Sequence, residues 1–196
     1  MKKTGFITKV NEGLRVWLFK AGTQVQQTDF TDREEGGNAV LELQQLLKAL
    51  GRKSLSEEQH FLPAIAVHAP FVLSQVEEDN KQVKNLCARL SRCMQNYLQP
   101  GTYGHYKLAG LSIQQMYMEF LSFMLIYMNR QESLFNGLVS LDDATSFMGE
   151  MAHWLEDESL DQSYKKKTFF GGAGPQRLQA AGVKADYRLK GVLFAA

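Results

Sequence analysis

Apolar positions recur at three- and four-residue steps along most of the first 138 residues, the period of helices that each bury one face. Val10, Leu14, Trp17, Leu18, Ala21 and Val25 form the first such stripe, which predicts a helix from about Lys9 to Thr28. Gly13 and Gly22 each weaken that helix by roughly 1 kcal/mol against alanine, so packing must hold it. Asp29 to Asn38, with Thr31, Asp32, Gly36 and Gly37, reads as a polar link whose last residue, Asn38, is placed to cap the next helix. Val40, Leu43, Leu46, Leu47 and Leu50 make the second stripe. It continues weakly through Leu55, and Pro63, which has no N–H to give, predicts an end near Phe61 and a connector over Ala64 to Pro70.

Pro70 is suited to the first turn of a third helix. Val72, Val76, Val83, Leu86, Leu90, Met94 and Tyr97 extend that helix from Phe71 to Leu98, and Glu77, Glu78, Asp79, Lys81 and Lys84 lie on its wetter side. Pro100-Gly101 ends it. Gly104 to Gly110 reads as a loop, followed by a fourth helix from Leu111 to Leu138 that stops near Gly137. Residues 1–140 therefore predict an all-α fold, an antiparallel four-helix bundle. Ala144, Phe147, Met148, Met151 and Leu155 predict an additional helix over 141–158. From Ser159 onward the period is lost, and seven Lys or Arg against Asp161 and Asp186 leave a balance of +5. Residues 159–196, with Lys165, Lys166 and Lys167 ahead of Phe169, Phe170 and a run of glycines, read as a basic C-terminal tail.

The composition fits such a fold: of 196 residues, 44% are hydrophobic and 22% charged, enough to bury a core and too apolar for wholesale disorder. A formal net charge of +1 gives no global attraction to nucleic acid or anionic lipid, so the expected partners include neither, and an unidentified protein partner is left open. The most apolar stretch, Met116 to Met128, is interrupted by Glu119 and too short to span a bilayer. No apolar run of the signal-peptide kind follows Lys2 and Lys3. Cys87 and Cys93, six apart in a helical pattern, are off one face and unsuited to a disulfide. These features together predict a cytoplasmic protein.

Two stretches carry candidate chemistry. In Lys53-Ser-Leu-Ser-Glu-Glu-Gln-His-Phe-Leu-Pro63, Lys53 and Glu57 are four apart, and in Tyr127-Met-Asn-Arg-Gln-Glu132 so are Tyr127 and Gln131. That spacing puts each pair on one helix face. Together with Gln26-Gln-Thr-Asp-Phe30 and Glu77-Glu-Asp-Asn-Lys81, these segments resemble the hemerythrin-like (HHE cation-binding) family over about residues 5 to 140. The resemblance implies a four-helix bundle that holds two bridged irons through histidines and carboxylates from all four helices and binds oxygen, nitric oxide or iron.

The family pattern is a lone histidine in the first helix, His-x-x-x-Glu in the second, Asp-His in the third and His-x-x-x-Glu in the fourth. Carried onto this chain, the first position is Asn11, the second pair Lys53 and Glu57, the third Asn80 after Asp79, and the fourth Tyr127 and Gln131. Every histidine is replaced, and Glu57 remains as the one family carboxylate of the two His-x-x-x-Glu pairs. Lys53 brings a positive charge where the family holds a cation, free to pair with Glu57 or Glu132, while Asn11, Asn80, Tyr127 and Gln131 offer neutral hydrogen-bonding groups. The expectation is a bundle with no cofactor, acting as a non-enzymatic structural or interaction module. Two alternatives stand beside it: residual binding of a cation, iron, oxygen or nitric oxide through Glu57, Glu132 and Tyr127, and an apolar small-molecule pocket between the second and fourth helices. Met116, Met118, Met124 and Met128, with Tyr117, Phe120, Phe123 and Tyr127, read as core. His60, His68, His105 and His153 read as unrelated surface or edge residues, the first two flanking Pro63 in the connector and His105 in the glycine-rich loop.

Overall fold

The stripe at Leu14, Leu18, Ala21 and Val25 is buried along one face of helix α1, Phe6–Gln27. The computed structural model describes residues 6–139, with side chains over 11–137; the additional helix expected over 141–158, the basic tail over 159–196 and His153 lie outside the described residues. Four further helical segments follow: α2 Arg33–Ser56, α3 Leu62–His68, α4 Pro70–Tyr97 and α5 Tyr103–Val139. No strand occurs among the described residues, so the fold is all-α. α1 packs on α2 and α5, and α4 packs on α5, α2 and α3. No helix among the described residues is long and apolar enough to cross a membrane.

The corner between α1 and α2 is tighter than the sequence suggests. Asp29 Oδ1 accepts from the Thr31 amide at 2.9 Å and hydroxyl at 2.6 Å, and Asp32 caps α2 by accepting from the amides of Glu34 at 2.8 Å and Glu35 at 3.1 Å. The cap is therefore Asp32 and not Asn38, and Gly36 and Gly37 lie inside the helix. Gly36 belongs there because a Cβ would lie 2.0 Å from the Tyr97 hydroxyl, which donates to the Phe30 carbonyl at 3.1 Å. Gly110 serves the same corner from α5, where a Cβ would come within 2.3 Å of Phe30 Cβ. The stretch 104–110 is accordingly helical rather than a loop, since α5 starts at Tyr103, with the Tyr106 amide on the Thr102 carbonyl at 3.1 Å.

The second correction lies at Pro63. The chain does not stop near Phe61: α2 passes into one wide π turn, Glu57–Phe61, and continues as α3 to His68. The Leu62 amide bonds the Glu57 carbonyl, five residues back. A proline removes one helical donor and crowds the carbonyl before it, and the wider turn just ahead of Pro63 relieves that crowding while keeping the chain helical. Only Ala69, at φ −147° and ψ 58°, breaks the run, and Pro70 opens α4 in the first-turn position expected of it.

The core has two parts. The larger includes Leu18, Leu43, Leu46, Leu86, Leu90, Ile113, Phe120 and Met128. A smaller cluster of Phe61, Ala64, Ile65, Ala69, Val76 and Phe135 lies where α3, α4 and α5 meet. Met116, Met124 and Met128 are buried with Tyr117 and Phe120, whereas Met118 is 45% exposed and so does not join them.

Candidate functional site

π turns recur at functional sites because one extra residue re-aims the side chains around it. Here the turn begins at Glu57, which is 2% exposed. The polar side chains that meet it come from three other segments. Lys53 lies one turn earlier on α2, Asn80 on α4, and Tyr127 with Gln131 on α5, all at most 8% exposed.

Lys53 Nζ pairs with Glu57 Oε1 and also donates to Gln131 Oε1 at 3.3 Å. Gln131 Nε2 donates to Glu57 Oε1 at 2.7 Å and to the Tyr127 hydroxyl at 2.7 Å. That hydroxyl also lies 2.8 Å from Glu57 Oε2 and 2.7 Å from Asn80 Oδ1. Both four-residue pairs thus share a face, and the faces meet. The sequence left open whether Lys53 pairs with Glu57 or Glu132; the structure gives Glu57.

Asn11 stands one step out. It is fully buried, and its Nδ2 donates to Glu132 Oε1 at 3.0 Å and to the Met128 carbonyl at 3.4 Å. Glu132 in turn pairs with Arg15 at 2.8 Å, and Arg15 donates to Asn129 at 2.7 Å. Asp79 accepts from Arg130 at 2.8 Å and from Gln75 at 3.0 Å. Glu58 pairs with Lys84 at 2.6 Å, as a surface charge should. The roles of Arg15 and Arg130 were not foreseen from the sequence. A usable signal existed for the first, because Arg15 follows Asn11 by four residues and so shares its helix face.

One positive and one negative charge thus sit in direct contact in a nearly dry place, ringed by amides and a phenol. Burial, and then the Glu57 carboxylate, push the Tyr127 hydroxyl well above the usual phenol range. It stays a neutral hydrogen-bonding group. Lys53 Nζ also lies 5.8 Å from the centroid of the Tyr127 ring, within cation–π range. Among the described residues, three buried polar side-chain atoms lack a partner: Asn11 Oδ1, Ser56 Oγ and Asn80 Nδ2.

His60 falls in the π turn, His68 at the end of α3, and His105 in the first turn of α5, where a ring nitrogen lies 3.0 Å from the Asn96 carbonyl. All three are therefore helical, not in a connector or loop. Among the described residues no group of three or more His, Cys, Asp or Glu side chains could hold a metal ion. Cys87 and Cys93 are free thiols, and burial pushes Cys87 up to about 12. Among the described residues, open grooves lie on two sides of α1. One, towards α2, is lined in part by Lys20, Gln24, Gln27 and Glu35. The other, towards α5, is lined in part by Phe19, Gly22, Met118 and Leu121.

Compared with protein-family models, curated proteins and solved structures, the chain matches none.

Proposed function

We propose that this chain is a hemerythrin-like antiparallel four-helix bundle in which an internal ion pair has replaced the di-iron centre, and that it serves as a non-enzymatic structural or interaction module. The observation that carries this reading is the meeting of Lys53, Glu57, Asn80, Tyr127 and Gln131 at one buried point. These are the positions that the resemblance assigns to the centre. Lys53 Nζ supplies there the positive charge that a cation would supply.

The donor set does not fit two irons. It offers one carboxylate, already engaged by an ammonium, with two neutral amides and a phenol held protonated. Iron in mixed nitrogen and oxygen sites draws on imidazole and free carboxylates. An ammonium at the same point repels a metal cation, and displacing it would strand a charge in the core. Residual cation binding through Glu132 is weakened in the same way, since that carboxylate is held by Arg15 and Asn11. Elemental analysis of the protein purified from iron-supplemented cells tests the reading: less than a tenth of an equivalent is expected, by order of magnitude, for a site with no imidazole, and near-stoichiometric iron overturns it.

A further inference from the structure

Glu57 Oε1 touches two nitrogens at once, the Lys53 amine and the Gln131 amide. The same amine lies 3.3 Å from the oxygen of that amide. A primary amine, a carboxamide and a carboxylate bridging their nitrogens are the three groups needed for amide exchange, and all three are buried. We propose that Lys53 and Gln131 form an intramolecular isopeptide bond, with Glu57 as the proton carrier.

The step balances without any co-reactant. Glu57 takes one proton from the Lys53 ammonium, freeing the nitrogen lone pair to attack Gln131 Cδ. The Nζ–Cδ bond forms as the carbonyl electrons move onto Oε1. Those electrons then return, the Cδ–Nε2 bond breaks, and Glu57 passes its proton to the departing nitrogen. Glu57 next accepts the second proton from Nζ and gives it up to ammonia, which leaves as ammonium. The carboxylate is restored with the new amide N–H and the Tyr127 hydroxyl as its donors, and the Lys53 charge described above belongs to the chain before this exchange.

The placement favours the exchange. Gln131 Nε2 lies on the carboxylate that must protonate it, and Gln131 Oε1 accepts from the amine that must attack.

This inference rests on the metal-free reading above, and it is tested by a different measurement. Intact-mass spectrometry of the full-length chain, after prolonged incubation at neutral pH, should show a species lighter by one ammonia. Tandem spectra of its tryptic digest should join the peptide containing Lys53 to the one containing Gln131. Glu57→Gln should keep the shape of the carrier and abolish the linked peptide, and Lys53→Arg should abolish it too. A wild-type chain of unchanged mass overturns the proposal, and a linked peptide formed equally well in Glu57→Gln overturns the role given to Glu57. If mass is unchanged and no iron is bound, the crosslink alone fails; if iron is bound, the metal-free reading fails with it.

Discussion

The two ends of the helix assembly solve the same problem with opposite chemistry. Around Phe30, Tyr97, Tyr106 and Gly110 the helices close by shape: Phe30 and Tyr97 rings meet edge to face at 5.4 Å, and Tyr97 and Tyr106 at 5.6 Å. Two buried hydroxyls away from Glu57 donate to backbone carbonyls, Tyr97 to Phe30 and Tyr117 to Leu18 at 2.6 Å. Around Glu57 the helices close by charge, and the hydroxyl of Tyr127 meets only side chains. A hydroxyl on a backbone carbonyl depends on one partner that cannot rotate away. A hydroxyl among side chains depends on all of them together, so this end should be the more sensitive to single changes.

The largest effect is expected from Glu57→Ala, which leaves the Lys53 charge buried and unpaired. A loss of about 3–5 kcal/mol in urea unfolding is anticipated, and a loss below about 1 kcal/mol would mean that solvent reaches the lysine. Gly110→Ala attacks the other end. Its methyl collides with Phe30 Cβ, costing about 1–3 kcal/mol of overpacking against roughly 1 kcal/mol regained from helix propensity. The net should be destabilising, and a stabilised variant would show that Phe30 can move aside.

The direct comparison is Tyr127→Phe with Tyr117→Phe. Removing the Tyr127 hydroxyl strips a partner from Glu57, Asn80 and Gln131 together, at about 1–3 kcal/mol, while removing that of Tyr117 costs about 1 kcal/mol. Equal losses would erase the contrast drawn here. Alkaline titration probes both ends at once. The thiol of Cys87 and the phenols of Tyr117 and Tyr127 are all raised above their ordinary values of 9.0 and 10.0 by burial. In the unfolded chain they ionise at those ordinary values and the folded chain keeps its protons, so stability should fall as pH climbs past 9. Monitoring the melting temperature against pH checks the sign, since a flat profile would require these groups to be hydrated when folded. The smallest effect belongs to Arg89→Ala. Its two bonds to Glu119, at 2.5 and 2.8 Å, are exposed on the surface, and no measurable change is expected.

Much of this was legible in the sequence, and what was not has identifiable causes. The helical period located the faces because burial repeats with the turn, and the four-residue spacing brought Lys53 to Glu57 and Tyr127 to Gln131. Boundaries failed where glycine was read as a breaker. Gly36 and Gly110 sit inside helices because neighbouring aromatic side chains occupy the space of a Cβ, a tertiary fact invisible along the chain. Pro63 was read as an end because a local rule cannot see that one wide turn absorbs it. The same turn begins at Glu57, so the irregularity missed by the sequence reading adjoins the residue on which the polar cluster converges. The outer partners Arg15 and Arg130 were missed because long side chains reach partners that spacing alone does not name.

The measurement that tests the central claim most directly is thermal unfolding of the full chain with excess ferrous iron under anaerobic conditions and with a chelator in its place. A ligand that binds the folded state must raise its stability. If Lys53 fills the role of the cation, the two melting curves superimpose; a melting temperature that rises with iron and saturates at a fixed ratio of metal to protein would contradict the account.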